Sequence, residues 1–178
     1  ADLAAAVKGS VSACMLNSGQ TCSAHTRMLV QADQLEQAKA LAAAAVAKLT
    51  LGPSLDDNTR LGPLVSAAQR DRVPNMIELG LKEGAELMAG GAQRPAIDRG
   101  YYVQPTVLVV QPEHTLAREE IFGPVLVIIA YRDEEDAIRI ANDTIYGLGG
   151  GVWSQDEASA IRVARRIRTG QVDINGAP

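Results

Sequence analysis

The sequence contains few aromatic residues, few cysteines and few histidines. Of its 178 residues 3% are aromatic, two are cysteine and two are histidine. The core must therefore be built mainly from alanine, valine, leucine and isoleucine. Two cysteines in a chain of this length indicate free thiols in a reducing compartment, so we expect a cytoplasmic protein. The cysteines and histidines show no ligand spacing, and we predict no metal site.

Long apolar runs and clusters of like charge are also missing. No apolar run approaches the roughly 20 residues that span a bilayer. The first ten residues lack the basic start and apolar stretch of a signal peptide. The formal net charge is −4 and the basic residues are scattered. The densest basic segment, RVARRIRTG at 162–170, is interpreted as the solvent side of one helix. We therefore expect neither a membrane nor a nucleic acid as partner.

What the sequence does contain is an alternation of helical and strand patterns. Such an alternation is typical of an α/β fold, here three layers, with a mostly parallel sheet between helices on both faces. The nearly unbroken apolar run PVLVIIAYR is typical of a strand that is buried on both faces. The predicted helices span 3–15, 33–49, 66–83, 133–143 and 156–168, and the predicted strands 26–31, 85–90, 101–110, 124–132, 147–154 and 170–175.

Three local signals refine this prediction. Asp33 is expected to cap the long helix that follows it, and Ser66 to cap the next one. Pro74 lies inside that second helix, where we expect it to produce a kink or a restart. Two Gly-Pro pairs and polar turn residues predict a loop over 51–64.

The segment LNSGQTCSAHTR, residues 16–27, places a cysteine in a polar turn ahead of a strand. Gly19 removes side-chain bulk before Cys22, and the backbone N–H groups of such a turn can hold an oxyanion. One loop would then supply both a nucleophile and charge stabilisation. Most cysteines are simply small buried residues, and Cys14, on the apolar stripe of the first helix, fits that interpretation. Cys22 fits it poorly.

A base for Cys22 is not evident among the histidines. His25 lies three residues on, and in an extended segment its side chain points away from Cys22. His114 lies in a loop that contains Pro and Glu. We interpret both histidines as surface or packing residues.

A second segment of interest is REEIFGPVL, residues 118–126. Its glutamates precede a buried strand, and ligands of open α/β sheets gather at strand ends and the adjacent loops. A carboxylate there could accept two hydrogen bonds from a ribose diol. Taken alone, the residues leave open whether Glu119 and Glu120 are solvated loop charges and whether Phe122 is only a core residue.

The motifs NSGQTC, EEIFGPV, GYYVQPTVL, NDTIYGL and GQVDIN occur together in this chain. In this combination the whole chain resembles the catalytic domain of the NAD(P)-dependent aldehyde dehydrogenase superfamily. The resemblance implies that the parent protein oxidises an aldehyde to a carboxylic acid. The aldehyde forms a thiohemiacetal and then a thioester on a cysteine, and hydride passes to NAD or NADP.

The resemblance assigns roles to individual residues. Cys22 matches the catalytic nucleophile, and its backbone N–H one half of the oxyanion hole. Glu120 matches the carboxylate that binds the nicotinamide ribose, and Phe122 the aromatic residue that packs beside it. Gln69 resembles a further cofactor contact. Asn17 and Asn175, which do not count among the reacting groups, match motif positions that shape the site.

Residues 1–178 then form an incomplete catalytic domain. The dinucleotide-binding domain, the general base, the second oxyanion donor and a C-terminal strand for oligomerisation are expected outside it. The fragment alone is expected to be inactive, whereas the parent binds a small aldehyde and forms a homo-oligomer. The alternative is a non-catalytic folding or assembly module in which Cys22 is inert.

Overall fold

The structure is a computed structural model and describes residues 2–176, which form six α-helices and six β-strands. The helices are α1 Leu3–Met15, α2 Leu35–Val46, α3 Ala67–Lys82, α4 Thr115–Arg118, α5 Glu134–Asn142 and α6 Glu157–Ala164. The strands are β1 Arg27–Gln31, β2 Glu86–Ala89, β3 Thr106–Val109, β4 Val125–Tyr131, β5 Gly149–Val152 and β6 Gln171–Ile174.

The main sheet has four strands in the order β1-β4-β3-β2. β1, β4 and β3 run parallel, whereas β2 pairs antiparallel with β3 at one edge. β5 and β6 form a separate parallel pair. The predicted α/β fold with a mostly parallel sheet is therefore confirmed.

β4 shows why its sequence is an unbroken apolar run. Val125, Val127 and Ile129 belong to one hydrophobic cluster, while Leu126 and Ile128 belong to the other. Successive side chains of a strand point to opposite faces of its sheet, so β4 contributes to two cores at once. A strand with both faces buried has no place for the polar alternation of a solvent-exposed strand.

Helices cover both faces of the main sheet, as the three-layer prediction requires. On one face, α1 and α2 bury Val7, Val11 and the small residues Ala38 and Ala42. The other face is covered by α3, α4 and α5, with buried residues that include Val73, Ile77, Leu116, Ala117 and Ile140. The alanines Ala38 and Ala42 of α2 are fully buried on the first face, so small side chains fill part of a core that has few aromatic residues.

The helix caps agree with the sequence in one case and differ in the other. Ser66 caps α3, and its hydroxyl accepts a hydrogen bond from the Gln69 N–H at 3.2 Å. The prediction for Asp33 is wrong, because Asp33 lies within a 3₁₀ turn, Ala32–Gln34, that precedes α2. The N-cap of α2 is Gln34, whose side chain makes no capping hydrogen bond.

Several predicted elements differ in extent or continuity; α2, for example, was predicted to reach residue 49 and ends at Val46. α3 runs through Pro74 as one helix, without a restart. Only the second half of 101–110 pairs as a strand, because Pro105 has no N–H to donate and the ladder begins at Thr106. The helix predicted to reach residue 168 ends at Ala164, where the chain tightens into i→i+3 hydrogen bonds such as Ile167 N–H to Ala164 O.

Within residues 2–176, no helix has both the length and the apolar character that crossing a bilayer requires.

Candidate active site

The NSGQTC segment forms a tight left-handed turn directly after α1. Asn17, Ser18 and Gly19 have φ values of 51°, 54° and 75°. Glycine adopts this conformation freely and asparagine does so more readily than most residues, but for Ser18 it costs roughly 1–2 kcal/mol. Hydrogen bonds offset that cost: the Ser18 hydroxyl donates to Gly62 O at 2.9 Å, and the Asn17 amide donates to Gln20 O at 3.1 Å.

The second half of the segment presents Cys22 to solvent. The Ala24 N–H donates to Thr21 O at 2.9 Å and closes a turn with Cys22 at its second position. Gln20, just before this turn, connects it to the loop at Val65: its side-chain oxygen accepts a hydrogen bond from the Val65 N–H at 2.8 Å. Cys22 is exposed. Within residues 2–176, neither its thiol nor its backbone N–H makes a hydrogen bond.

Cys14 has the opposite environment. Its side chain is fully buried beside the sheet, and its thiol donates to Val125 O at 3.3 Å. Burial raises the pKa of the Cys14 thiol to about 12, because the apolar surroundings disfavour the thiolate. The interpretation of Cys14 as a small hydrophobic residue is confirmed.

The turn that carries Cys22 packs directly on the EEIFGPV segment. A Cβ atom on Gly19 would overlap the backbone of Gly123 and Pro124. Only glycine fits there, both for this contact and for its positive φ. The fold thus brings together two motifs that lie about a hundred residues apart in the sequence.

The loop that contains Glu120 and Phe122 is held by helix α3. Phe122 has a φ of 57°, an unusual value for a bulky residue. The side-chain amide of Gln69 donates to Ile121 O at 2.9 Å and to Phe122 O at 2.7 Å. The Arg72 guanidinium donates to Glu120 O at 2.6 Å. These hydrogen bonds stabilise a strained backbone next to the cysteine turn.

Three of the four predicted site residues line one cavity of about 520 Å³: Cys22, Glu120 and Phe122. Gln69 does not line it and instead supports the loop from behind, through its hydrogen bonds to the backbone of Ile121 and Phe122. The role of Gln69 as a cofactor contact therefore stays a prediction.

The site lies at the amino ends of the parallel strands. The cysteine turn precedes β1, and the Glu120 loop precedes β4. Ligands of open α/β sheets usually bind at the carboxyl ends, so this site uses the opposite edge. From there the cavity extends between β1 and β5, each of which pairs with a neighbour on one side only among the described residues.

The Glu120 side chain is free to accept hydrogen bonds. It is exposed, and within residues 2–176 only its backbone groups are bonded, the N–H to the Tyr146 hydroxyl at 3.4 Å and the C=O to Arg72. A free carboxylate at a cavity wall can accept two hydrogen bonds from a vicinal diol.

The histidines take the packing roles expected for them. His25 lines the same cavity as Cys22, next to the glycines of β5: a Cβ on Gly151 would lie 3.3 Å from its Cε1. His114 precedes α4, and its Nδ1 accepts a hydrogen bond from the Gln111 N–H at 3.4 Å.

Asn175 directly follows β6 and is not among the residues that line the cavity. Its φ is 54°, and its side chain makes two hydrogen bonds with the backbone of Ser154, accepting from N–H at 2.9 Å and donating to C=O at 3.0 Å. These bonds join the chain beyond β5 to the end of β6, and the role of Asn175 in shaping the site stays a prediction.

Sequence reasoning missed two residues that contact the Glu120 backbone, Arg72 and Tyr146. A signal for Arg72 was available, because Gln69 and Arg72 are three positions apart on one helix and therefore share a face. Tyr146 carries no comparable signal, because it lies in a loop 26 residues from Glu120.

No group of three His, Cys, Asp or Glu side chains that could hold a metal ion occurs in the part of the chain that the structure describes.

Comparison with known proteins finds similarity to aldehyde dehydrogenases, in agreement with the resemblance of the sequence motifs. The sequence model of the aldehyde dehydrogenase family matches residues 1–178. Geranial dehydrogenase from Castellaniella defragrans is 48% identical over 177 residues, which cover 99% of this chain and 37% of that protein. The 3-succinoylsemialdehyde-pyridine dehydrogenase of a Pseudomonas species is 45% identical, with coverage of 99% and 38%. The chain thus spans less than two-fifths of the length of these relatives.

Solved structures show the same relationship. Aldehyde dehydrogenase C from Pseudomonas syringae, a mutant in complex with NAD+ and octanal, is 46% identical with a TM-score of 0.97. The match covers 100% of this chain and 37% of that one. A Mycobacterium tuberculosis aldehyde dehydrogenase in complex with NAD+ is 44% identical with a TM-score of 0.96, and the coverage is 99% and 37%.

Proposed function

The chain belongs to the aldehyde dehydrogenase family, and on that premise we propose that it is the cysteine-bearing part of the catalytic domain of a longer NAD(P)-dependent aldehyde dehydrogenase. The observation that carries this proposal is the junction of two motifs at one cavity. The cysteine turn and the glutamate loop meet at Gly19 and Gly123, and both Cys22 and Glu120 line the cavity beside that contact.

Cys22 is the nucleophile in this proposal. Its thiolate attacks the aldehyde carbon, and a C–S bond forms while the carbonyl π electrons move to oxygen. The Cys22 backbone N–H, which has no acceptor within residues 2–176, donates to that oxyanion. One such donor typically contributes a factor of roughly 10² to 10³ in rate.

The residues of this chain fit the nicotinamide end of NAD(P). Glu120 offers an unpaired carboxylate to the two ribose hydroxyls, and the half-buried Phe122 offers an apolar surface beside them. When bound, the cofactor accepts the hydride that leaves the carbon attached to Cys22. The carbon is thereby oxidised to a thioester, which water hydrolyses to a carboxylic acid and a free Cys22 thiolate.

The water must be activated by a base, and we place that base in the longer protein, outside residues 1–178. This is supported by the surroundings of the thiol, since no side chain in residues 2–176 hydrogen-bonds to Cys22. A general base contributes roughly 10² to 10⁴ in rate. We therefore propose that the 178-residue chain alone does not turn over aldehydes with NAD(P). We also propose that the full-length protein is cytoplasmic and homo-oligomeric.

Turnover of the full-length protein tests this function. Aldehyde-dependent reduction of NAD+ or NADP+ is measured with a panel that includes octanal and geranial, the compounds for which two similar proteins are named. We expect Cys22→Ala to abolish turnover and Cys14→Ala to retain it. If Cys22→Ala keeps full turnover, the thiol is inert and the alternative, an assembly module, is favoured.

A further inference from the structure

Helix α3 holds three consecutive carbonyl oxygens of the glutamate loop. The Gln69 amide donates to Ile121 O and Phe122 O, and the Arg72 guanidinium donates to Glu120 O at 2.6 Å. These three oxygens have no other hydrogen-bond donor within residues 2–176. The orientation of the loop therefore depends on two side chains that are one helical turn apart.

The peptide groups of Glu120 are fixed on both sides. Arg72 binds its carbonyl oxygen, and its N–H donates to the Tyr146 hydroxyl at 3.4 Å. Its own side chain, in contrast, makes no hydrogen bond with residues 2–176. The direction in which the carboxylate enters the cavity is therefore set by the backbone, and Arg72 makes the shorter of the two backbone contacts.

A second observation concerns the strain in the loop. Phe122 has a φ of 57°, which a bulky residue adopts only when its surroundings hold it there. Immediately after it, Gly123 packs against α3 so closely that an added Cβ would lie 2.5 Å from Val73 Cγ2. Without the hydrogen bonds from α3, the loop would relax towards an unstrained backbone and carry Glu120 with it.

We propose that Arg72 is a positioning residue that orients Glu120, through its backbone carbonyl, for binding the ribose of NAD(P). This inference rests on the proposed function. In this proposal Arg72 acts through Glu120, whose backbone carbonyl it binds at 2.6 Å, and it is not among the residues that line the cavity. The residue that binds and the residue that positions it thus come from different elements, the loop that leads into β4 and helix α3.

The first test needs no cofactor. Hydrogen exchange of amides 119–123 is measured on the full-length protein without cofactor, with Arg72→Met, Arg72→Lys and Arg70→Met. Arg70 is the matched control, because it lies on the same helix and bonds to Asp71 at 2.9 Å. We expect exchange about tenfold faster in Arg72→Met, the factor for one hydrogen bond to a charged group. Arg72→Lys, which keeps one donor, should recover most of the protection, and Arg70→Met should match the wild type.

The second test uses the full-length protein and separates binding from chemistry. We expect Arg72→Met to raise the Kd and KM for NAD(P)+ about tenfold and to change kcat less than about twofold, since the thiol is untouched. Arg72→Lys should restore the affinity, and Arg70→Met should leave both constants unchanged. The Cys22→Ala variant tests the proposed function separately, because Cys22 makes no hydrogen bond with the loop and its replacement should leave exchange at 119–123 and cofactor affinity unchanged.

Two results would overturn the inference. If Arg72→Met weakens cofactor binding while exchange at 119–123 stays at the wild-type rate, Arg72 acts on the cofactor directly. If exchange rises but the Kd for NAD(P)+ does not change, the orientation of the loop does not determine binding.

Discussion

Gly19 lies against the carbonyl group of Gly123, so closely that a Cβ atom on Gly19 would lie only 1.9 Å from that oxygen. This contact joins the turn that carries Cys22 to the loop that carries Glu120. The two loops therefore cannot shift independently, and the spacing between the proposed nucleophile and the proposed ribose-binding carboxylate is set by backbone packing.

Gly19→Ala should therefore destabilise the chain far more than an ordinary Gly→Ala change. A left-handed alanine costs roughly 1–2 kcal/mol, and here overlap with the Gly123 backbone adds to it. We expect a total loss of at least about 3 kcal/mol in the free energy of unfolding, measured by urea denaturation.

Gly84→Ala is the matched control for this change. Gly84 has a φ of 98°, and a Cβ atom added to it would have no heavy atom within 4 Å, so it shares the backbone strain without the overlap. Its loss in the free energy of unfolding should be about 1 kcal/mol. Equal losses for Gly19→Ala and Gly84→Ala would show that the Gly19–Gly123 contact is not tight.

The two cysteines should differ strongly in alkylation. Cys22 is exposed, whereas burial raises the pKa of the Cys14 thiol to about 12. At about pH 8 a thiol with such a pKa is thiolate to a fraction of only about 10⁻⁴. Native protein treated with iodoacetamide should gain one adduct, on Cys22, and unfolded protein should gain two.

Fragment mass spectra are needed to assign that adduct, because Cys14 and Cys22 share the tryptic peptide 9–27. Cys22→Ala serves as control and should gain no adduct while folded. Rapid modification of Cys14 in the native protein would contradict the buried position of its thiol.

Stability should fall in acid partly through Asp136. Hydrogen bonds from Arg132 and Arg139 hold the pKa of this carboxyl well below its usual range. The unfolded chain, with a carboxyl pKa of about 3.9, therefore takes up the proton first as the pH falls. The stabilisation is fully present above about pH 5 and is lost as the pH falls towards the folded-state pKa.

Urea midpoints between about pH 6 and about pH 3 measure this contribution. Asp136→Asn should lower the urea midpoint near the upper end of that pH range. It should also make the urea midpoint fall less steeply as the pH is lowered. Arg132 and Arg139 are 78% and 59% exposed, so solvent screening keeps the effect modest. Asp98→Asn, at an exposed position, is the control and should change neither the urea midpoint nor its dependence on pH. An unchanged pH dependence in Asp136→Asn would rule out a role for these ion pairs in acid stability.

Local pattern was enough to predict the layers of the fold. The apolar run of β4 and the helical spacing of α1 each reflect burial, which sequence periodicity reports directly. The cap predicted at Asp33 was wrong because a short polar residue before a helix can equally well enter a 3₁₀ turn. The early end of α6 was missed because the arginine-rich residues 165–168 continue the helical pattern of the residues before them.

The site was harder to predict, since it depends on contacts between distant segments. Cys22 stands out in the sequence, but its meeting with Glu120 depends on the Gly19–Gly123 contact across about a hundred residues. The left-handed backbone of Ser18 and Phe122 has no sequence signal, because such strain is imposed by tertiary packing.

The most direct test of the central claim, that Cys22 is the nucleophile, is to trap the acylated enzyme. The full-length protein is mixed with NAD(P)+ and an aldehyde that the panel assay shows it to oxidise, quenched in acid within one turnover and digested. We predict that peptide 9–27 gains the mass of the acyl group, and that fragment ions place it on Cys22, in the wild type and in Cys14→Ala. An acyl group on another residue, or turnover that persists in Cys22→Ala, would contradict the account.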